Sequence, residues 1–266
     1  MYIPCFHINR PYIIHGVRKE SVDDGISKTE CTLSVEEGSN WINGSKAIFC
    51  WYFDNTDREK NNIECFVKET QEVLNPLCME LNSYRRCTAL SSYGEICKKW
   101  ERLLPILYSK YCGKWVEEQI EIMTERINNK KRLEVQLYKH FIVSEWFQRN
   151  IYKVDFTDEG RAIREYQENG FIIPLTFLQQ CSFERTDIGE QTLIIKGNVD
   201  LEKNTTQIEE LCRRYEIKQK QLVSIEQHTE IQGKNLSGLI DCIHSIYSIK
   251  GENNALKTVE IELTAQ

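Results

Sequence analysis

The chain has 266 residues, of which 41% are hydrophobic and 28% charged, with five prolines and a formal net charge of −6. That length can bury a sizeable core without staples, and this balance excludes wholesale disorder and collagen-like repetition. The acidic balance also speaks against a general nucleic-acid binder, whose footprint is a basic excess.

Charge is unevenly spread: residues 1–56 carry −2, residues 57–170 carry 0 on a dense mixture of both signs, and residues 171–266 carry −4. Eleven cysteines is a high and odd number. The opening residues place charged and turn-forming groups where an apolar signal core would sit. No apolar run approaches the ~20 residues that cross a bilayer. These features predict a cytoplasmic protein with free thiols and no membrane association.

In chain order, residues 2–16, 29–36 and 47–54 read as strands. The run Ala47 to Phe53 is continuously apolar and ends at Asp54-Asn55, which suits a strand buried on both faces. The period then changes. Ile63, Phe66, Val67, Val73 and Leu74 share a helical face that Pro76 should stop. Ser92 and Glu95 form a capping-box pattern before Ile96, Trp100, Leu103, Leu104 and Leu107, with Pro105 expected to kink or end that helix. Val116, Ile120, Met123 and Ile127 make a short heptad-like seam, interrupted at Asn128 to Arg132. A stripe of Leu133, Leu137, Phe141, Phe147 and Ile151 follows, with Glu145, Trp146 and Arg149 assigned to a wet side.

Beyond it, Phe171 to Leu175 and Gln191 to Ile195 read as strands, and Thr206 with Glu209 as a second capping box. Gln221 to Ile231, Leu239 to Ile249 and Lys257 to Leu263 complete the strands, the last two joined by a Gly251-to-Asn254 turn. The expected fold class is α+β: N-terminal antiparallel strands over 1–56, a central helical block over 57–170, and C-terminal mixed strands with one helix over 171–266. The terminal strands need partners, either in one shared sheet, giving a single domain, or in a separate lobe.

No phosphate loop or nucleophile elbow is present, so no nucleotide cofactor and no acyl-transfer chemistry are predicted. The strongest catalytic candidates are strand-borne carboxylates: Asp241 on one strand, then Glu260 and Glu262 on the next. This spacing partly resembles the restriction-endonuclease-like nuclease core. The resemblance implies a divalent cation held by Asp241 and Glu260, although Glu262 stands where that family has Lys. Without it, Glu260 and Glu262 simply face solvent opposite Val259, Ile261 and Leu263. Two Cys-x-His pairs, Cys5/His7 and Cys242/His244, could each give Zn²⁺ two ligands if the termini meet.

Arg85, Arg86, Lys130, Lys131, Arg132, Arg213 and Arg214 form basic clusters that would hold phosphates if they converged. Finally, Trp100, Tyr111, Trp115 and Trp146 exceed what one stripe per helix needs and mark a partner-binding surface. The leading expectation is a non-enzymatic cytosolic binding protein, a subunit or adaptor that self-associates or holds a protein partner. A metal-dependent nuclease and a nucleic-acid-binding subunit are the alternatives.

Overall fold

The computed structural model describes residues 11–22, 25–40, 44–52, 62–149, 154–185, 190–234, 239–252 and 254–266. The first arm of the fold is β1 (Tyr12–Val22), β2 (Gly25–Asn40), β3 (Gly44–Tyr52), α1 (Asn62–Glu72), β4 (Leu77–Leu81) and β5 (Cys87–Leu90). Helices α2 (Tyr93–Lys110), α3 (Lys114–Asn128) and α4 (Lys130–Lys139) follow, then a π-helical stretch over Val143–Gln148. The second arm is β6 (Arg161–Glu168), β7 (Leu175–Arg185), β8 (Glu190–Val199), α5 (Thr205–Arg214), β9 (Ser224–Lys234), β10 (Leu239–Lys250) and β11 (Ala255–Ala265).

All eleven strands belong to one antiparallel sheet in the order β5-β4-β3-β2-β1-β11-β10-β9-β8-β7-β6. This corrects the expected fold class. There is no central helical block, because the stretch 57–170 supplies β4, β5 and β6, and both outermost strands of the sheet come from it. Nor are the terminal strands separate sheets: β1 pairs with β11, with Lys19 opposite Glu260. Strands β4 and β5 are too short, at five and four residues, to show a period of two. Strand β6 reads Arg-Ala-Ile-Arg-Glu-Tyr-Gln-Glu and buries only its last residue, Glu168, so it lacks an apolar signature.

Inside the sheet, buried and exposed residues alternate along most of each strand. Ile14, Leu33, Val35, Phe49, Leu77 and Met79 point inward from the first arm, and Phe177, Ile195, Ile243, Tyr247, Val259 and Ile261 from the second. Against this face lies the segment Phe141 to Arg149. A Cβ on Gly16 would fall 2.8 Å from Ile142 and Phe141, so β1 approaches this segment as closely as a glycine permits. Phe147 packs on Phe49 with ring centroids 4.8 Å apart. Gln148 reaches both edges of the sheet: its amide donates to Cys87 O (3.0 Å), its Oε1 accepts from Arg86 Nε (2.9 Å), and its backbone carbonyl accepts from Tyr166 OH. The sheet therefore curls around this segment until β5 and β6 flank one residue.

The assignment of Glu145, Trp146 and Arg149 to a wet side is also corrected. All three are buried, Glu145 and Arg149 to 1% exposure. Arg149 pairs with Glu145 and donates to Thr229 Oγ1 (2.9 Å), Tyr247 OH (2.8 Å) and Ser245 Oγ (3.2 Å). Ser245 and Tyr247 in turn donate to Glu145, each at 2.7 Å. Gln179 extends the network, donating to Glu168 and to Gln227 at 2.9 Å. These hydrogen bonds offset the desolvation of the buried ion pair, although Arg149 Nε has no partner among the described residues.

Local signals fared unevenly. Ser92 is the N-cap of α2, but its hydroxyl accepts from the Cys78 amide (3.0 Å) and makes no cap bond. Helix α2 also runs through Pro105, which is exposed, while Ile96, Trp100 and Leu107 bury the other side. The second helix start lies at Asn204, two residues before Thr206. Phe171 to Pro174 is a turn preceding β7, with Ile172 at a positive φ.

Candidate functional site

Helix α1 is anchored to the α2–α3 junction through Phe66, whose ring meets Tyr111 and Trp115 edge-on at 5.3 and 5.7 Å. Trp100 on α2 donates to Thr124 on α3 (3.1 Å), fixing the second pair of helices. Asn129 then separates α3 from α4, its side chain accepting from the Arg132 amide at 3.0 Å as an N-cap. With α1, α3 and α4 held this way, a groove of about 460 Å³ lies between them. Its apolar lining includes Phe66, Met123, Leu133 and Leu137, with Trp115 at one side.

Thr70, Gln71, Gln119, Gln136, Arg126 and His140 break that lining, and the last two differ from the rest. Arg126 is the one charged residue among those lining the groove, and its buried Nε has no hydrogen-bond partner among the described residues. His140, just past the end of α4, likewise has a buried, unpartnered Nδ1. Its ring stacks on Phe141 (4.9 Å) and meets Trp51 edge-on (4.5 Å). Burial, reinforced by the positive charge of Arg18, pushes the His140 pKa down to about 4, so the ring is neutral at neutral pH. Tyr111 OH, Tyr138 OH, Trp146 Nε1 and Arg149 Nε are likewise buried without a partner elsewhere among the described residues, so what distinguishes the groove is the Arg126 charge in its wall. Neither Arg126 nor His140 was singled out in the sequence, because Arg126 sits beside the apolar seam and His140 looks like any half-buried histidine.

Of the aromatics expected at a partner surface, Trp100, Tyr111 and Trp146 belong to the core, whereas Trp115 is 44% exposed. Tyr108 and Ile106 on α2, Ile122 on α3, Val135 on α4, and Ile63 and Val67 on α1 are exposed as well. The basic clusters do not converge by element. Arg85 is buried against Glu37 and Tyr12, and Arg86 holds Gln148. Lys130 and Arg132, in the first turn of α4, pair with Glu134 and Glu125, and exposed Lys131 lies between them. Arg213 and Arg214 occupy the last turn of α5.

The outer face of the sheet brings together a different set. Glu260 and Glu262 share this face, and His244 stands opposite Glu262 on β10. Ligating atoms of the three lie within 4.8 Å of one another. Lys19 bridges the two carboxylates, at 3.2 Å from Glu260 and 3.1 Å from Glu262, and His244 Nε2 lies 2.9 Å from Glu260. A cation is thus already supplied by the chain. Asp241 is not part of the group: it falls in the bulge between Ile240 and Cys242, while Glu260 pairs with Ile246. Five residues of strand separate them by about 16 Å, too far to share one ion. Cys242 is half-buried and contacts Gln232, and Cys5 and His7 lie outside the described residues.

No protein-family model matches the chain, and no curated protein matches it.

Proposed function

We propose that this protein acts by binding, as a subunit or adaptor that presents the face built by α1 to α4 to a protein partner. The observation that carries this reading is the contrast between its two outer surfaces. The helices expose Ile63, Val67, Ile106, Tyr108, Trp115, Ile122 and Val135, whereas the middle of the sheet's outer face is a ladder of charged pairs such as Lys19–Glu260 and Lys250–Glu226, and its exposed apolar residues (Ile13, Ile26, Ile48, Ile163 and Leu178) are dispersed over five strands. Exposed aromatics and aliphatics, of which Val67 and Trp115 line the groove itself, are the composition of an interface core. The ten described cysteines are free thiols, which supports a reducing compartment, and no described helix is long and apolar enough to cross a membrane.

The test is site-specific photo-cross-linking in the native cellular setting. A benzophenone side chain at Tyr108 or Trp115 should give a discrete protein adduct, and one at Lys28 or Glu230 on the outer sheet face should give none. Adducts from the sheet positions alone, or from no position, would refute the assignment.

A further inference from the structure

We infer that the groove between α1, α3 and α4 is a selective pocket for an acidic, apolar segment of the partner, in which one carboxylate pairs with Arg126. This rests on the proposed binding role and adds the chemistry of what is bound. Phe66, Met123, Leu133 and Leu137 offer a lining that gains by excluding water from aliphatic or aromatic side chains. About 460 Å³ is room for a few such side chains, not for a whole helix. Arg126 is the one formal charge in the lining, so charge complementarity calls for an anion, and a carboxylate matches the planar fork of a guanidinium. Its guanidinium carries the N–H donors that such a carboxylate would accept from. His140 adds a neutral aromatic ring to the wall of the groove. The arrangement discriminates: an apolar segment without the acid takes water from the guanidinium and replaces it with nothing, and a basic segment meets a like charge.

The experiment uses the full chain and two blocked tetrapeptides, Leu-Glu-Leu-Phe and Leu-Gln-Leu-Phe, titrated calorimetrically up to millimolar concentration. The acidic peptide should bind about tenfold more tightly, the scale of one charge-assisted hydrogen bond. Arg126→Gln should erase that preference while leaving the weaker peptide's affinity unchanged, and Arg126→Lys, checked by thermal melting for an intact fold, should restore part of it. Equal affinity of the two peptides, a preference that survives Arg126→Gln, or no binding of either overturns the inference. So does an Arg126-dependent response to decanoate with none to the peptides, since the pocket would then serve a fatty acid. A positive cross-link at Tyr108 or Trp115 with a negative peptide result would leave the binding face standing and remove only this pocket chemistry.

Discussion

Two groups of charged residues lie on opposite faces of the same sheet, and they behave as different materials. Within the curl, Arg149, Glu145 and Glu168 are almost completely sequestered, and hydroxyls from Thr229, Ser245 and Tyr247 supply hydrogen bonds to Arg149 and Glu145, with Arg149 Nε left without a partner among the described residues. On the outside, Lys19, Glu260, Glu262 and His244 form a comparable constellation at comparable distances, with side chains about one-third to one-half exposed. The chemistry of the residues is shared, but the cost of leaving one unmatched is not. Water replaces a lost partner on the outer face and cannot do so inside.

Breaking the inner set should have the largest effect. Arg149→Met leaves Glu145 and Glu168 buried without their cation, and should lower the unfolding free energy by about 3–5 kcal/mol, measured by urea denaturation. A loss below about 1 kcal/mol would mean that water reaches the network. An intermediate effect belongs to His140. Its folded pKa, about 4, lies below the ordinary value of 6.5, so the unfolded chain binds the proton more readily. Its contribution is present above pH ~6.5 and is lost as the pH falls toward 4, by about 3 kcal/mol in all. Glu226 and Glu260, held below the usual carboxylate value by hydrogen bonds from Lys250 and His244, add their own losses at lower pH. Melting curves between pH 7 and 4.5 should therefore slope downward in the parent protein and flatten in His140→Gln. The smallest effect is expected outside: Lys19→Met should not shift the melting temperature measurably at 0.15 M salt. A drop of more than about 2 °C would show the outer ladder to be structural.

What could be read from the sequence divides along the same line. The later strands were legible because Ile243, Tyr247, Ile249, Val259, Ile261 and Leu263 alternate with polar neighbours, and the solvent-facing placement of Glu260 and Glu262 follows from that alternation. Helices α2 and α3 were legible from their periodic apolar faces, whereas of the face expected for α1 only Phe66 is buried within the helix, with Ile63 and Val67 exposed and Val73 and Leu74 beyond its end. Strand β6 was not legible, because an edge strand that buries one residue has no hydrophobic period to detect. The interior network was misread for a related reason. Glu145 and Arg149 have the spacing of an exposed helical ion pair, and only the Ser245 and Tyr247 hydroxyls, about a hundred positions away, make their burial tolerable. The groove was invisible because its lining comes from three helices whose relative placement no local pattern encodes.

The β1–β11 seam has a consequence for how the chain folds. Every other neighbouring pair in the sheet joins consecutive strands, so each arm is a meander that can form from local contacts. The seam joins Lys19 to Glu260, 241 positions apart, and fixes its two arms only after a long loop has closed. During synthesis β1 emerges early and β11 late, so β1 stays an unpaired edge for most of that time. The central strands, which look the best protected in the finished sheet, are thus the ones most open to wrong pairing while it is being made.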